Sequence, residues 1–489
     1  MAQLSPTRAL PRPGRAAPRR TRAWPAALFA ALIGLTVAGV LVYPTYPNYD
    51  SYYALLWGRE LLHGVTPTFE AYRAPTEHPL TIAFGAGLSV AGLDADRLMV
   101  AATFASFLAL VAAMYRLARA SFGMLAGVVA AAILCTRFDL PFLAARAYVD
   151  IPYLALLLWA AVLEAERPRR GLPVLAMIAV AGLMRPDAWV ASGAYVLWVW
   201  GGASPRRRAG YVALAAAGPL AWAAVDLAVT GDPLFSLSHT STLAEDLGRS
   251  AGLGELPAAT VRFLVGLDKL PILAAGVLGI VLTPVLGRAR VRVPAALLGL
   301  GLATFAAVTA VGASVVFRYL LVPSLMLVLF AAVPVAGWTL LPAGTRARRC
   351  WAAAAAVAVA AGAAFTVTHT TPSTFAAELR FRGRSHAALR ALVDDPRVVA
   401  ARACGPISVP NHKLIPELRW IARAPAGAVV ARSDRATRER TRRGVALYAT
   451  SRLTLLRYGY SPDSYRNAIP MRGFRLLAAN GYYAAWGRC

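Results

Sequence analysis

The sequence predicts an α-helical polytopic membrane protein with about eleven transmembrane helices and a small C-terminal extracytoplasmic α/β domain. Three observations predict it. Apolar residues make up 58% of the 489 and charged residues only 15%, against roughly 45–50% and about 25% in soluble proteins. Twelve apolar stretches fill residues 24–368, with short arginine clusters between them. Beyond residue 369 the chain turns polar and arginine-rich, and helical stretches alternate with short apolar runs. A soluble globule has no place for so much apolar surface, and a disordered chain would not carry it.

The stretches run over 24–43, 79–93, 98–115, 122–136, 149–163, 171–184, 188–202, 209–229, 263–286, 293–313, 319–341 and 351–368. Six basic clusters punctuate them: Arg8 to Arg22, Arg116 and Arg119, Arg167 to Arg170, Arg206 to Arg208, Arg288 to Arg292, and Arg346 to Arg349. All six fall in the cytoplasm, as the positive-inside rule requires, only if 79–93 does not cross. That stretch follows Pro79, is short and contains three glycines, so it reads as a re-entrant or interfacial helix. Eleven spans remain, with the N-terminus inside and the C-terminal domain outside. Inner segments then carry 20 basic and 2 acidic residues, and outer loops 10 and 15. The formal charge of +27 is therefore largely topological, and nucleic acid is not implied.

The expected organisation is a basic cytoplasmic N-terminus (1–23), a membrane domain (24–368) and an extracytoplasmic domain (369–489). Tyr43-Pro44-Thr45 is a poor cleavage site, so the first stretch reads as a retained span. In the tail, Phe375–Leu392, Asn411–Ala422 and Arg435–Arg443 read as helices. Val398–Ala403, Ala428–Ala431, Val445–Tyr448 and Tyr482–Trp486 read as buried strands. A helix over Arg435–Arg443 would put Arg435, Arg438 and Arg442 on one face, against lipid headgroups or an anionic acceptor. Cys404 and Cys489 both lie in this domain, as free thiols or as a disulfide, which an oxidising compartment sustains.

Chemistry-bearing residues gather at one membrane face. The long first outer loop (44–96) opens with Tyr49-Asp50 among further tyrosines and continues through Arg73 and Glu77-His78-Pro79. Tyrosines favour that depth as an aromatic belt, whereas an aspartate there needs water, a cation or a substrate. Asp150 precedes Ile151-Pro152 at the start of another stretch, where a helix cap and a functional acid are both open readings. Arg185, in Leu183-Met184-Arg185-Pro186-Asp187-Ala188-Trp189, and Arg318, in Phe317-Arg318-Tyr319, interrupt apolar sequence. Arginine there suits a lipid phosphate or simple snorkelling to the interface.

These motifs, in this order, resemble the GT-C superfamily of integral-membrane glycosyltransferases. The similarity is greatest to bacterial members related to dolichyl-phosphate-mannose–protein mannosyltransferases and lipid A aminoarabinose transferases. It spans residues 24 to about 340 and rests on Tyr49-Asp50, Glu77-His78-Pro79, Asp150, the run ending at Trp189, Gly231-Asp232-Pro233-Leu234-Phe235 and Arg318-Tyr319-Leu320-Leu321. The resemblance implies a hexosyl- or pentosyltransferase of the plasma membrane that uses a polyprenyl-phosphate sugar donor and a protein, lipid or glycan acceptor. It aligns Asp50 with the catalytic acid of the first loop and Asp150 with the second acid of the cleft. Two departures bear on the acceptor: Ser51 follows Asp50 where protein mannosyltransferases pair two acids, and His78 replaces a proline. On chemical grounds Arg318 with Arg73 or Arg185, beside Tyr49, would hold the phosphate. Glu77, His78, Asp94 and His239 are the candidate ligands of a divalent cation. A glycan flippase or transporter, or a non-enzymatic envelope-assembly protein, are the alternative functions.

The charge pattern makes a direct prediction. A single-cysteine label placed after Arg207 should react only from the cytoplasm, and one near Ser461 only from outside; accessibility from the same side would break the eleven-span topology.

Overall fold

The computed structural model describes residues 24–248, 252–286, 291–311, 315–369, 372–459 and 470–489. The basic segment 1–23, Arg288, Arg290 and Ser461 lie outside them. Each of the eleven expected spans is helical: α1 (Trp24–Val42), α4 (Ala95–Phe122), α5 (Met124–Thr136) with α6 (Asp139–Ala145), α7 (Asp150–Glu166), α8 (Leu172–Gly182), α9 (Asp187–Trp200), α10 (Pro205–Thr230), α12 (Leu256–Leu286), α13 (Arg292–Ala310), α14 (Leu321–Ala336) and α15 (Arg346–His369). Between them lie α2 (Tyr49–Leu62), α3 (Pro79–Ser89) and α11 (Phe235–Asp246).

Length separates these helices into two kinds. Seven among the described residues are long and apolar enough to cross a membrane, and the pair α5–α6, bent by 62°, is an eighth if counted as one broken span. The helices α7, α8 and α9 have 17, 11 and 14 residues, or about 26, 16 and 21 Å at roughly 1.5 Å per residue. They fall short of the roughly 30 Å hydrocarbon core. The apolar pattern marks where these helices lie, but length does not make each of them a full crossing. The 11-residue α3 is short in the same way, as its proline start and glycines lead one to expect.

The core forms around α14, which is buried along nearly its whole length against α12, α13, α5 and α4. The contact with α12 is backbone-close: a Cβ on Gly279 would stand 2.0 Å from Phe330 O. Helix α12 breaks at Lys269 (φ 58°), and a buried ion pair holds the break. Arg137 Nη1 donates to Asp268 Oδ1 and to Ser324 Oγ, each at 2.6 Å, tying α12 to the α5–α6 bend and to the start of α14. A second backbone-close crossing joins α2 to α3, where a Cβ on Gly58 would lie 2.2 Å from Ala86 N. Any larger residue at Gly58 would push α2 off its support.

The C-terminal domain has α16 (Pro372–Val393), α17 (Pro396–Ala401) and α18 (Ile415–Ile421) on a five-stranded sheet. Its strands are β1 (Ile407–Val409), β2 (Val429–Ala431), β3 (Gly444–Ala449), β4 (Arg475–Ala479) and β5 (Tyr483–Arg488), in the order β2-β1-β3-β5-β4. Strand β1 runs parallel to β2 and β3, and β5 is antiparallel to β3 and β4. Two expectations fail here. Val398–Ala403 is helical, because Asp395 caps the backbone N–H of Arg397 (2.9 Å) and Pro396 opens the first turn. The strand comes instead at Ile407–Val409. Arg435–Arg443 forms turns and one 3-10 turn at Glu439–Arg442, so the proposed three-arginine face does not exist.

Cys404 and Cys489 are joined in a disulfide that closes a separation of 85 residues. Chain-entropy reasoning assigns such a loop about 4–5 kcal/mol. Cys489→Ser, or reduction, should therefore unfold the C-terminal domain first, seen as proteolytic sensitivity between Ala401 and Arg488 while the membrane helices stay protected.

Candidate active site

The site is assembled by stitching two loops that are about 100 residues apart in sequence. Asn48 caps α2 by accepting the Ser51 N–H (2.9 Å), which sets Asp50 in the first helical turn. The Asn48 N–H donates to Arg146 O (2.8 Å), Ser51 Oγ to Ala147 O (2.6 Å) and Thr45 Oγ1 to Ala145 O (3.0 Å). Ala147 takes a left-handed conformation (φ 53°), which turns the chain into α7, so that Asp150 occupies the first turn of that helix. The two aspartates thus start two helices whose N-terminal ends are bound to each other.

Between them sits Arg318, on a 3-10 turn (Phe317–Leu320) that leads into α14. Its Nη1 lies 3.3 Å from Asp150 Oδ2 and 3.5 Å from Asp50 Oδ2. Asp150 is 1% exposed, and its other oxygen is paired with Arg185. Arg185 also grips Asp187 (Nη2–Oδ2 2.8 Å) and lies over the rings of Tyr153 and Tyr319. Asp50, by contrast, is 25% exposed. The two acids therefore differ in kind. Both Asp150 oxygens are engaged by arginines, which makes it an anchor; Asp50 faces an opening.

That opening is a cavity of about 460 Å³. Asp50, His78, Arg185, Asp187 and Arg318 form its charged end, while Leu243 and Leu247, Val308 and Val311, and Trp222 form apolar walls. Burial, reinforced by the Arg185 and Arg318 charges, pushes the His78 imidazole down to about 3, so it lines the cavity as a neutral ring. The other candidates lie elsewhere. Arg73 and Tyr49 do not line the cavity; Tyr49 donates to Arg73 O (2.8 Å) and packs on Tyr53 and His412 as scaffold. Among the described residues no three His, Cys, Asp or Glu side chains are grouped to hold a metal. Asp94 is exposed on a 3-10 turn, His239 meets Ala74 O (3.1 Å), and Glu77 is fully buried beside Ser236. The quartet Glu77, His78, Asp94 and His239 does not fit a cation, because the fold gives each member a separate partner or setting. Sequence reasoning missed Asp187 and Tyr319, each within two residues of a chosen arginine, and Trp222, which sits mid-helix without any local signal.

Helix α11, one wall of the cavity, is held to the first loop by a shared proton. Ser236 Oγ lies 3.0 Å from Glu77 Oε2 and 2.7 Å from Asp226 Oδ1, and its backbone N–H donates to Asp226 Oδ2 (2.9 Å). A serine hydroxyl has a single proton to give. The full chain of bonds therefore needs one carboxyl in its acid form, donating to Ser236. Burial raises the Glu77 carboxyl to about 7, which identifies Glu77 as that acid. Thr76 and Thr240 hydroxyls meet at 2.8 Å beside it.

The architecture matches that of ArnT from Cupriavidus metallidurans bound to undecaprenyl phosphate, with a TM-score of 0.59, 15% identity, and coverage of 95% of this chain and 98% of that one. The chain thus shares the fold of that protein; at that identity the likeness speaks for the fold alone. A slighter likeness, with a TM-score of 0.42 at 12% identity over 84% of this chain and 64% of the other, is to the oligosaccharyltransferase of Archaeoglobus fulgidus tethered with an acceptor peptide. No family model matches the sequence, and no curated protein does.

The Glu77 proton makes stability depend on pH. Its folded value, about 7, lies above the ordinary 4.5, so the folded protein binds the extra proton between those values and loses stability as pH rises through that window. The loss is on the order of 3 kcal/mol and is complete above about pH 7. Thermal unfolding midpoints in detergent should fall from pH 5 to pH 8 in the wild type. They should vary less in Glu77→Gln, whose amide donates to Ser236 at every pH.

Proposed function

We propose that this protein transfers a sugar from a polyprenyl-phosphate carrier to a hydroxyl of a protein, lipid or glycan acceptor on the extracytoplasmic face of the plasma membrane. One observation carries the reading: Arg318 is shared by Asp50 and Asp150 at the charged end of a cavity whose walls are apolar. A lipid phosphate needs such a site, with cations for its head and apolar walls for its first isoprene units. The undecaprenyl phosphate bound in the ArnT structure supports the same donor class.

The chemistry follows from the difference between the acids. Arg318 and Arg185 receive the donor phosphate and stabilise the charge that grows on it as the sugar–phosphate bond breaks. Arg318 then exchanges its contact with Asp50 for the phosphate, and Asp50, the carboxylate that lines the cavity, is placed to accept the proton. The acceptor hydroxyl attacks the anomeric carbon and its proton passes to Asp50. The carbon–oxygen bond to phosphate breaks, and polyprenyl phosphate departs with the bonding pair. Asp150 touches neither substrate in this scheme; it fixes where both arginines point. His78, neutral, packs beside them without adding charge.

The two aspartates should fail differently. Asp50→Asn should lower kcat by about 10²–10⁴-fold with an unchanged unfolding midpoint, measured as release of polyprenyl phosphate from a labelled donor. Asp150→Ala leaves the buried Arg185 with Asp187 alone and the half-buried Arg318 with Asp50 alone, and should cost on the order of 3 kcal/mol of stability, with weakened donor binding. Turnover of Asp50→Asn within threefold of wild type would remove Asp50 from the proton-accepting role.

A further inference from the structure

A second cavity, of about 480 Å³, lies between the first loop (residues 66–72) and the C-terminal domain. This is within the roughly 300–1,000 Å³ of ligand sites. It shares no lining residue with the Asp50 cavity, yet one chain segment borders both: residues 66–72 line this one, and Pro75, Thr76 and His78 line the other. We propose that this cleft binds a neutral oligosaccharide, and, resting on the transferase reading above, that this saccharide is the acceptor chain.

The floor of the cleft has polar groups that the protein leaves unfilled. Arg419 is 2% exposed and lines the cavity; its Nη2 pairs with Glu60 at 2.5 Å, but its Nε–H meets no acceptor in the protein. The buried Tyr53 hydroxyl also lines the cleft, with the Tyr49 phenol as its neighbour. Strand β2 adds two more groups. Three consecutive residues, Val429 to Ala431, line the cleft, which a strand does along its edge because its side chains alternate between faces. The ladder to β1 uses Ala428 O (from Ile407 N–H, 2.9 Å) and Arg432 N–H (to Val409 O, 2.7 Å). Alternation then turns the N–H and C=O of Val429 toward the cavity. Buried groups of this kind carry a desolvation cost unless something fills them.

The rim decides what that something is. Glu70 and Arg440 are exposed, and Asp434 lies beside them, so the charges nearly balance and no net field favours an ion. Tyr72, half-buried, adds an aromatic side chain to the lining, backed by the buried Phe69. An extended peptide would need a second rung on β2, but Ala431 O is already taken by the Asp434 N–H (3.1 Å). A sugar hydroxyl both donates and accepts. Vicinal hydroxyls can therefore answer the Arg419 and Val429 donors and the Val429 carbonyl together, while Glu70 or Asp434 accepts from the next pair.

The test is calorimetric titration of the full-length protein in nanodiscs with α-mannan, arabinan and β-glucan hexasaccharides. At least one should bind, and Glu70→Gln and Ala426→Trp, which fills the rim, should each weaken that binding at least tenfold with unfolding midpoints unchanged. No binding of any of the three by the wild type would overturn the proposal. So would binding that survives both substitutions, or tighter binding of an extended peptide or of a phosphorylated sugar. Release of polyprenyl phosphate from the donor is scored separately. Release without saccharide binding defeats the cleft and leaves the transferase reading intact, whereas saccharide binding without release does the reverse.

Discussion

An aspartate with no exposure to water has to be neutralised by its neighbours, and Asp150 imposes that requirement on three parts of the chain. Leaving it ionised in a low-dielectric interior costs several kcal/mol unless cations of good geometry stand against it. Arg185, from the turn between α8 and α9, supplies one, and Arg318, from the turn before α14, supplies the other. Asp187 and the rings of Tyr153 and Tyr319 then fix Arg185 in turn. The short helices α8 and α9, the central α14 and the loop stitched to α2 all converge on this one carboxylate. The reactive-looking end of the cavity is a by-product of satisfying it, because the Arg318 Nη1 that Asp150 holds is also the nitrogen that reaches Asp50.

The membrane architecture was largely legible, since long apolar stretches and arginine-rich connections are one-dimensional signals. Length was the part that misled: the apolar pattern around α8 and α9 announces helices without revealing how short they are. In the C-terminal domain β2, β3 and β5 were visible as apolar runs. Strand β1 is Ile407-Ser408-Val409, its apolar run broken by a serine, and β4 carries the exposed Arg475 and Leu476, so neither stands out. Val398–Ala403 shows that an apolar run is ambiguous until its cap is read, and Asp395-Pro396 was that cap.

Within the site, sequence singled out the right arginines at 185 and 318 for the cavity but could not rank them against Arg73. Ranking depends on where a loop turns, and Arg73 itself takes a left-handed conformation (φ 53°) outside the cavity lining. The carboxylates Asp50 and Asp150 look equivalent in sequence; only burial separates an anchor from a group that meets the opening. The metal quartet failed for a related reason. Residues on one membrane face need not be neighbours, and Glu77 found its partner in Ser236, which joins it to Asp226, 149 positions later in sequence.

The C-terminal domain grips the helix that carries Asp50. Glu60 near the end of α2 pairs with Arg419, 359 residues later, Arg59 lies over Trp420, and Tyr46 stacks on His386. During synthesis at roughly 5–20 residues per second, α2 therefore emerges about 20–70 s before the partners that brace it. For that interval the first loop is held only by its stitches to residues 145–147 and by the α2–α3 crossing, without the braces from the C-terminal domain. A nascent chain whose membrane helices are already inserted therefore still lacks part of the packing around the segment that carries Asp50, and gains it only once residues 386 to 420 have been made.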